Sequence, residues 1–195
     1  MKEVKIISLS GYIGSGKDFV AQIAEKQFGY KHLKLAGLIK SVYCQINGIT
    51  LEQLEERKYK EIARPDLIAY GEKMKEVDLY CHCKYVFNQI LLSLPDRTKF
   101  IVSDMRWPFE ALYFRKLARC TKTQCEIGHI SIPGYQVTYK SLYIESDLAD
   151  KTSKAESESH YQYFRDTNNG IIFNGTAQRY SRDNSDLINQ LVKFV

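Results

Sequence analysis

The chain has 195 residues, of which 44% are hydrophobic and 26% charged, a composition typical of one soluble globular domain with a full core. No stretch is apolar for long enough to predict a membrane span, and an apolar strand starts directly after residue 3, so no secretion signal is expected. The net charge of +5 suits anionic small molecules and disfavours a nucleic-acid partner. The odd count of five cysteines favours free thiols in a reducing, cytoplasmic compartment.

The first predicted elements are an apolar strand over residues 4–9, a glycine-rich loop and a helix. This strand–loop–helix order is the setting that a phosphate-binding P-loop requires. Glycines let backbone N–H groups turn towards phosphates, and the helix N-terminus favours an anion there. We therefore predict that Lys17 contacts the β- and γ-phosphates of ATP, in a site formed by Gly11, Gly14, Ser15, Gly16, Lys17, Asp18 and Phe19.

The last position of this motif departs from the usual pattern. Asp18 stands where a Ser or Thr hydroxyl normally binds Mg²⁺. A carboxylate is also a hard oxygen ligand, so Asp18 could hold Mg²⁺ directly or through water. It could instead cap the first turn of the helix. We favour a position near Mg²⁺.

Strands and helices alternate along the rest of the chain, which predicts a single α/β domain over residues 1–195. We expect a three-layer fold with a five-stranded parallel sheet, an acceptor-binding helical region over about 37–94 and a polar lid over about 133–166. The predicted strands after the first lie at 32–35, 100–102, 126–132 and 171–173. The predicted helices lie at 37–47, from a Thr50–Gln53 capping box, from Pro65, over 85–94, from Pro108 and around Leu187–Val192.

Asp104 and Arg106 directly follow the strand at 100–102, at the sheet edge where ligands bind in open α/β folds. An acidic residue there can hold Mg²⁺ or orient the acceptor. Arg106 suits a phosphate because a guanidinium donates two parallel hydrogen bonds. The alternatives are a turn cap for Asp104 and a surface salt bridge for Arg106.

Further charged and aromatic residues are candidates for the acceptor site and the lid. Lys40 and Arg64 could converge on an anionic acceptor, and Tyr70 and Glu72 could line its pocket, the alternatives being packing and solvation. Arg165 could stabilise charge on the transferring phosphoryl group from the lid, or belong to a solvated loop.

Three segments together resemble the deoxynucleoside monophosphate kinases of bacteriophages and large DNA viruses. They are the run Gly11–Ala21, the step Leu35–Lys40 and the segment Ser103–Ala111. A Ser157-Glu158 pair and the turn Asn174-Gly175-Thr176 add to the resemblance, which runs through nearly the whole chain. It implies a P-loop kinase in the host cytoplasm that uses ATP and Mg²⁺, with Asn174 and Thr176 at the ATP site and a homodimer as one possible assembly.

Animal-type phosphomevalonate kinase is a second relative. The chain is similar to it at Ser15–Val20, Tyr59–Glu61, Asp66–Asp78, Val102–Asp104 and Ala155–Glu158. That family has two basic residues early in the P-loop, where this chain has Tyr12 and Ile13. It also has a second Arg after its Asp-x-Arg, where this chain has Trp107. Both relatives share the nucleoside monophosphate kinase fold, so they differ in the acceptor.

The function predicted from the sequence is Mg²⁺-dependent transfer of the ATP γ-phosphoryl group to a deoxynucleoside monophosphate. The alternatives are phosphomevalonate as acceptor, a nucleotide-binding regulator and a nucleic-acid kinase. The predicted catalytic residues are Lys17, Asp104, Arg106 and Arg165, and Mg²⁺ would be organised by Asp18 and Asp104. The predicted acceptor-binding residues are Lys40, Arg64, Tyr70, Glu72, Arg106 and Trp107, with Trp107 or Tyr70 stacking on a base.

Overall fold

A computed structural model describes residues 2–119, 132–149, 160–175 and 184–195 of the chain. Five parallel strands form one sheet: β1 (Lys2–Ser10), β2 (Lys31–Leu33), β3 (Lys99–Val102), β4 (Tyr135–Glu145) and β5 (Gly170–Phe173). Their order across the sheet is β2-β3-β1-β4-β5, so β1 is central and leads into the glycine-rich loop. The predicted five-stranded parallel sheet is confirmed.

Helices cover both faces of this sheet. They are α1 (Lys17–Phe28), α2 (Gly37–Asn47), α3 (Leu51–Glu55), α4 (Arg57–Val77), α5 (Cys81–Ser93), α6 (Pro108–Arg119), α7 (Tyr161–Thr167) and α8 (Ser185–Val192). Adjacent β1 residues point to opposite faces: Ile6 packs with α5, α6 and α7, and Ile7 packs with α1 and α8. Within the described residues, no helix has the length and hydropathy to cross a membrane.

The predicted lid boundary at residue 133 is wrong, because residues 135–145 form β4, the strand that pairs with β1 along most of its length. Its first half contains polar residues such as Gln136, Thr138 and Lys140, so the sequence there is typical of a loop. In the structure these residues belong to a strand with one exposed side. Of the remaining predicted lid, 161–166 belong to α7, and 150–159 lie outside the described residues. The predicted strand at 126–132 also lies outside them, except for its last residue.

The helix boundaries in the acceptor-binding region differ from the prediction at one point. Pro65 does not open a helix but lies inside the 21-residue α4, where helical periodicity continues on both sides of it. The predicted capping box is confirmed: Thr50 accepts a hydrogen bond from the Gln53 N–H, and the Gln53 side chain accepts one from the Thr50 N–H. Residues 37–94 thus contain four consecutive helices that extend from the β2 edge.

The glycine at the end of β1 is required by close backbone packing. Gly11 has φ +141°, and a Cβ at this position would lie 2.4 Å from the carbonyl oxygen of Ile144 in β4. A backbone carbonyl inside a sheet cannot move aside as a flexible side chain can. The first glycine of the loop therefore allows the loop to pass directly over β4.

We expect Gly11→Ala to lower the free energy of unfolding by about 2–4 kcal/mol, because backbone strain and overpacking add. Gly29→Ala is the matched control, since Gly29 also has positive φ (+71°) but open space around its Cβ position. It should lose only about 1–2 kcal/mol. Urea denaturation of both variants measures this, and equal losses would show that the contact with Ile144 is not limiting.

Candidate active site

The glycine-rich loop wraps around its own lysine. Gly14 and Gly16 adopt left-handed conformations (φ +79° and +86°), and the Ser15 N–H donates to the Tyr12 carbonyl at 3.1 Å. The Lys17 Nζ donates to the carbonyl oxygens of Gly11 at 2.6 Å and Tyr12 at 2.9 Å. The ammonium group is therefore held at the mouth of the loop, where phosphate oxygens would exchange with these carbonyls.

Asn174 supports the loop from the neighbouring strand end. Its side chain is fully buried, and its Nδ2 donates to the Ser15 carbonyl at 2.9 Å. Its backbone N–H donates to the Glu145 carbonyl at 2.8 Å, which fixes the residue after β5 against the end of β4. The structure thus brings Asn174 to the predicted ATP site as a support of the P-loop backbone. Thr176 lies outside the described residues.

Asp18 is the end of a hydrogen-bonded chain that reaches β2. The Ser103 hydroxyl donates to Asp18 Oδ1 at 2.6 Å, and His32 Nε2 lies 2.6 Å from the Ser103 oxygen. Because the only hydroxyl proton of Ser103 goes to Asp18, His32 Nε2 must donate to Ser103. Lys34 Nζ contacts the other carboxylate oxygen of Asp18 at 3.1 Å. β2, β3 and α1 therefore meet at one carboxylate.

The surroundings keep Asp18 ionised and His32 neutral. Burial raises the pKa of Asp18, but the Ser103 hydrogen bond and the charge of Lys34 outweigh it, so this pKa lies below its usual value. Burial lowers the pKa of His32, and Lys34 adds to that effect. A neutral imidazole can therefore donate through Nε2 at neutral pH, as the chain of hydrogen bonds requires.

These groups fit a divalent cation beside the P-loop. The Asp18 side chain is 59% exposed and supplies a hard anionic oxygen one residue after Lys17. Ser103, the residue directly after β3, places a hydroxyl in contact with Asp18. When bound, Mg²⁺ neutralises charge on the β- and γ-phosphates. Asp18 would hold it, and Ser103 and His32 would keep the carboxylate in place.

Asp104 connects the end of β3 to the start of α2. Its Oδ1 accepts the Leu35 N–H at 2.8 Å, and its Oδ2 accepts the Ala36 N–H at 2.9 Å. The alternative of a turn cap therefore describes these contacts, and the role of Asp104 with Mg²⁺ or the acceptor stays a prediction. Because of these two hydrogen bonds, α2 begins at a fixed distance from the segment after β3.

Glu110 holds the backbone of the segment after β3. It is 5% exposed, and its Oε2 accepts the N–H groups of Arg106 at 2.8 Å and Trp107 at 2.9 Å. Burial raises the pKa of this carboxyl to about 7, against the opposing effect of the two N–H groups. Glu110 thus fixes the backbone direction of the two predicted acceptor residues.

Two of the basic residues predicted to bind the acceptor, Lys40 and Arg64, have carboxylate partners in this structure. Lys40 forms an ion pair with Glu55 across α2 and α3, and Arg64 lies 3.1 Å from Glu61 on α4. Arg64 is half exposed, so its ion pair contributes little stability. The structure therefore does not bring Lys40 and Arg64 to a common partner, and their contact with an acceptor stays a prediction.

The two other predicted residues of this region pack within it. Tyr70 lies edge-on to Tyr43, with ring centroids 6.2 Å apart, in the small apolar cluster between α2, α3 and α4. For Tyr70 the structure thus shows the packing role that the sequence analysis gave as the alternative. Glu72 accepts a hydrogen bond from Lys75 at 2.7 Å on the same helix. Tyr70 thus contributes to the contact of α4 with α2, whereas the Glu72–Lys75 pair lies within α4.

Trp107 lies at the centre of contacts between α4, α6 and α7. The Lys75 ammonium lies 4.2 Å from its ring centroid, close enough for a cation–π contact. Phe109 stacks on it at 5.9 Å, and His160 at the start of α7 lies at 4.9 Å. The acceptor half and the α7 side of the site therefore meet at one aromatic ring.

Arg165 lies on α7 and pairs with Glu145 at the end of β4, with 3.2 Å between Nη2 and Oε1. Together with Tyr12 these two side chains line a cavity of about 110 Å³ beside the P-loop. A larger groove of about 780 Å³ lies between β2, α2 and α5, lined by Lys34, Lys40, Ser41, Cys44, Tyr85 and Gln89. Arg165 thus lines one cavity with the P-loop residue Tyr12, and its role at the transferring phosphoryl group stays a prediction.

The sequence prediction missed the supporting residues of the site. His32, Lys34 and Ser103 contact Asp18, and Glu110 holds the Arg106–Trp107 backbone. One signal was visible for Ser103 and Glu110, since both flank Asp104 and Arg106 within one short segment. For His32 and Lys34 no local signal exists, because their contact with Asp18 depends on the order of strands in the sheet.

Comparison with known proteins gives a family and a fold. A family model described as phosphomevalonate kinase matches residues 9–122, more than half of the chain. Shikimate kinase from Aquifex aeolicus is 13% identical over 96% of this chain and 94% of that one, with a TM-score of 0.43. Dephospho-CoA kinase from Campylobacter jejuni is 13% identical over 99% and 95%, with a TM-score of 0.51. The family match and the likeness to dephospho-CoA kinase confirm the three-layer P-loop kinase fold.

The buried carboxyl of Glu110 should make the stability of the fold depend on pH. Because its pKa is about 7 in the folded chain and ordinarily 4.5, the folded state holds more protons between these values, so stability falls as the pH rises through that window. Glu110→Gln cannot ionise but keeps an oxygen for the two N–H groups. Relative to the parent, it should gain up to about 3 kcal/mol between pH 5 and pH 8, at about 1.4 kcal/mol per pKa unit.

Urea denaturation at several pH values measures this gain. The control is Glu61→Gln, since Glu61 is an exposed residue of α4. Its stability difference from the parent should stay constant across the same range. A Glu110→Gln profile parallel to that of the parent would show that the buried carboxyl does not titrate in the window.

Proposed function

The chain belongs to the phosphomevalonate kinase family, and within the P-loop kinase fold of that family we propose that it transfers the γ-phosphoryl group of ATP to a deoxynucleoside monophosphate. The observation that carries this proposal is Trp107. It occupies the position after Asp104-Met105-Arg106 where animal-type phosphomevalonate kinase has a second arginine. An aromatic ring recognises a base by stacking, whereas an arginine pair recognises an additional anionic group.

The donor half of the proposal rests on the P-loop. Lys17 would exchange the carbonyls of Gly11 and Tyr12 for phosphate oxygens. The Asp18 carboxylate would hold Mg²⁺, and Arg165 would approach the transferring group from α7. Because both reactants are anionic phosphates, catalysis here consists of alignment and charge neutralisation. The acceptor phosphate is already ionised, so no general base is needed.

The acceptor half rests on the arrangement around Trp107. Glu110 fixes the backbone at Arg106 and Trp107, so the guanidinium and the indole leave one rigid segment. Arg106 would bind the acceptor phosphate while the base stacks on Trp107, in the place of the Lys75 ammonium. Two sides of one nucleotide would thus be recognised by neighbouring residues.

Phosphomevalonate is the second candidate acceptor, and the family match favours it. The similarity at Tyr59–Glu61 and Val102–Asp104 supports it as well. Against it stand Tyr12, Ile13 and Trp107, three uncharged residues where that family has basic ones. Phosphomevalonate has a phosphate, a carboxylate and no aromatic part, so it would lose charge partners at all three positions.

A coupled ADP-release assay tests the proposal with ATP and Mg²⁺ against the four deoxynucleoside monophosphates, the ribonucleotides and phosphomevalonate. We expect turnover with at least one deoxynucleotide, and we expect Lys17→Ala to lower kcat by about 10²–10³-fold while retaining its circular dichroism spectrum. Turnover with phosphomevalonate alone would overturn the nucleotide proposal. No turnover with any acceptor would favour a nucleotide-binding regulator or a nucleic-acid kinase.

Trp107→Arg tests the acceptor assignment within the same fold. Since stacking contributes about 1–3 kcal/mol per base, this variant should lose about tenfold or more in kcat/KM for the nucleotide. It should gain activity with phosphomevalonate. Trp107→Phe is the matched control, because it keeps an aromatic face and should retain most nucleotide activity. Equal losses in both variants would show that the ring packs the site and does not contact the base.

A further inference from the structure

The start of α7 contacts both halves of the site with two consecutive residues. The Tyr161 ring packs edge-on against the Tyr12 ring of the P-loop, with 4.8 Å between the ring centroids. The His160 ring lies 4.9 Å from the Trp107 ring, also between centroids. Because Tyr161 and His160 are neighbours in the chain, their Cα atoms are only about 3.8 Å apart. One short piece of backbone therefore carries a contact to the P-loop and a contact to Trp107.

Tyr161 contacts the P-loop lysine as well as Tyr12. Lys17 Nζ lies 5.9 Å from the Tyr161 ring centroid while it donates to the carbonyl oxygens of Gly11 and Tyr12. This distance is at the outer limit of a cation–π contact. A phosphate that takes up the ammonium group would release the carbonyl of Tyr12, the residue whose ring packs against Tyr161. Nucleotide binding would thus change the surroundings of Tyr161 on two sides.

Tyr161 has no room to respond to such a change by itself. Its side chain is fully buried and belongs, with Phe164, to the apolar core on the face of the sheet that α5, α6 and α7 cover. Packed interiors contain few voids, so a shift of this ring requires a shift of the backbone that carries it. His160 would then move relative to Trp107.

The residue type at position 160 is not explained by the helix that it begins. His160 is the N-cap of α7, a position that favours Ser, Thr, Asp or Asn. Its side chain makes no capping hydrogen bond within the described residues. The imidazole instead lies against the Trp107 ring. A histidine at this position therefore fits a role in holding that ring.

We infer that His160 and Tyr161 are positioning residues that couple nucleotide binding at the P-loop to the Trp107 ring. The contacts form one continuous series from Lys17 through Tyr161 and His160 to Trp107. The second ligand then meets a start of α7 that the first ligand has already fixed, so each ligand raises the affinity of the other by the same factor. The identity of the acceptor in this coupling rests on the proposed function.

Trp107 is the only tryptophan of the chain, so tryptophan fluorescence reports on this ring alone. The first test adds the non-hydrolysable ATP analogue AMP-PNP with Mg²⁺, without an acceptor, and measures emission and calorimetric binding on the same sample. The emission of an indole depends on the groups in contact with its ring. We expect the emission of the parent protein to change and to saturate with the calorimetric Kd. Binding of AMP-PNP without a change in emission overturns the coupling.

His160→Leu tests whether the change passes through this residue. The variant lacks the imidazole, so it should lose most of the change in emission while AMP-PNP still binds. Tyr163→Leu is the comparison variant, because Tyr163 also lies on α7 but its ring pairs with Phe164. It should keep the full change. A full change in His160→Leu, or an equal loss in both variants, overturns the inference and leaves α7 with a packing role.

The Kd of AMP-PNP, measured with and without an acceptor, gives a second readout. The acceptors are each of the four deoxynucleoside monophosphates and phosphomevalonate. The phosphates of the two ligands repel each other equally in parent and variant, so the comparison between the two cancels this effect. One aromatic pair corresponds to a factor of about two to ten in an equilibrium constant. The acceptor should therefore tighten AMP-PNP by about this factor more in the parent than in His160→Leu.

The outcomes separate this coupling from the proposed function. Turnover of a deoxynucleotide together with the same effect of the acceptor in parent and His160→Leu overturns the coupling and leaves the proposed function standing. Turnover and tightening with phosphomevalonate alone overturn the nucleotide proposal but support the coupling through α7. A parent protein that neither binds AMP-PNP nor turns over any acceptor overturns both.

Discussion

The bidentate contact of Asp104 with the backbone determines how the two halves of the site face each other. One carboxylate accepts the N–H groups of Leu35 and Ala36, and so joins the end of β3 to the turn that starts α2. The four helices of the acceptor half continue from that turn. Charge-assisted hydrogen bonds are among the strongest in proteins, so this joint holds a helical region that extends from the sheet edge.

The parts of the site that sequence predicts are those carried by one continuous segment. The P-loop is such a segment, because strand, glycines, lysine and helix follow each other within 28 residues. The hydrogen-bonded network of Lys34, Asp18, Ser103 and His32 does not lie in one segment. It joins three segments that only the order of strands in the sheet brings together. β4 was missed for a related reason: its polar first half is typical of a loop until its pairing with β1 is known.

The buried polar groups of the site differ in how they are satisfied. Glu110 and the Asn174 amide nitrogen each hold a backbone segment through partners inside the chain, whereas Asn174 Oδ1 has no partner within the described residues. Groups that hold a backbone segment in this way make the site rigid.

The basic residues of the site show how binding can be specific without being excessively tight. Lys34 pairs with Asp18, Lys40 with Glu55 and Arg165 with Glu145. A phosphate bound at these residues would replace existing partners and would not meet bare charges, so the net gain per contact would be small. What distinguishes acceptors must then come from groups with little alternative use. In the proposed reaction such a group is the Trp107 ring, whose ammonium partner also has a carboxylate of its own. If the proposed acceptor is correct, stacking on Trp107 would select it, because the charges around it are already paired.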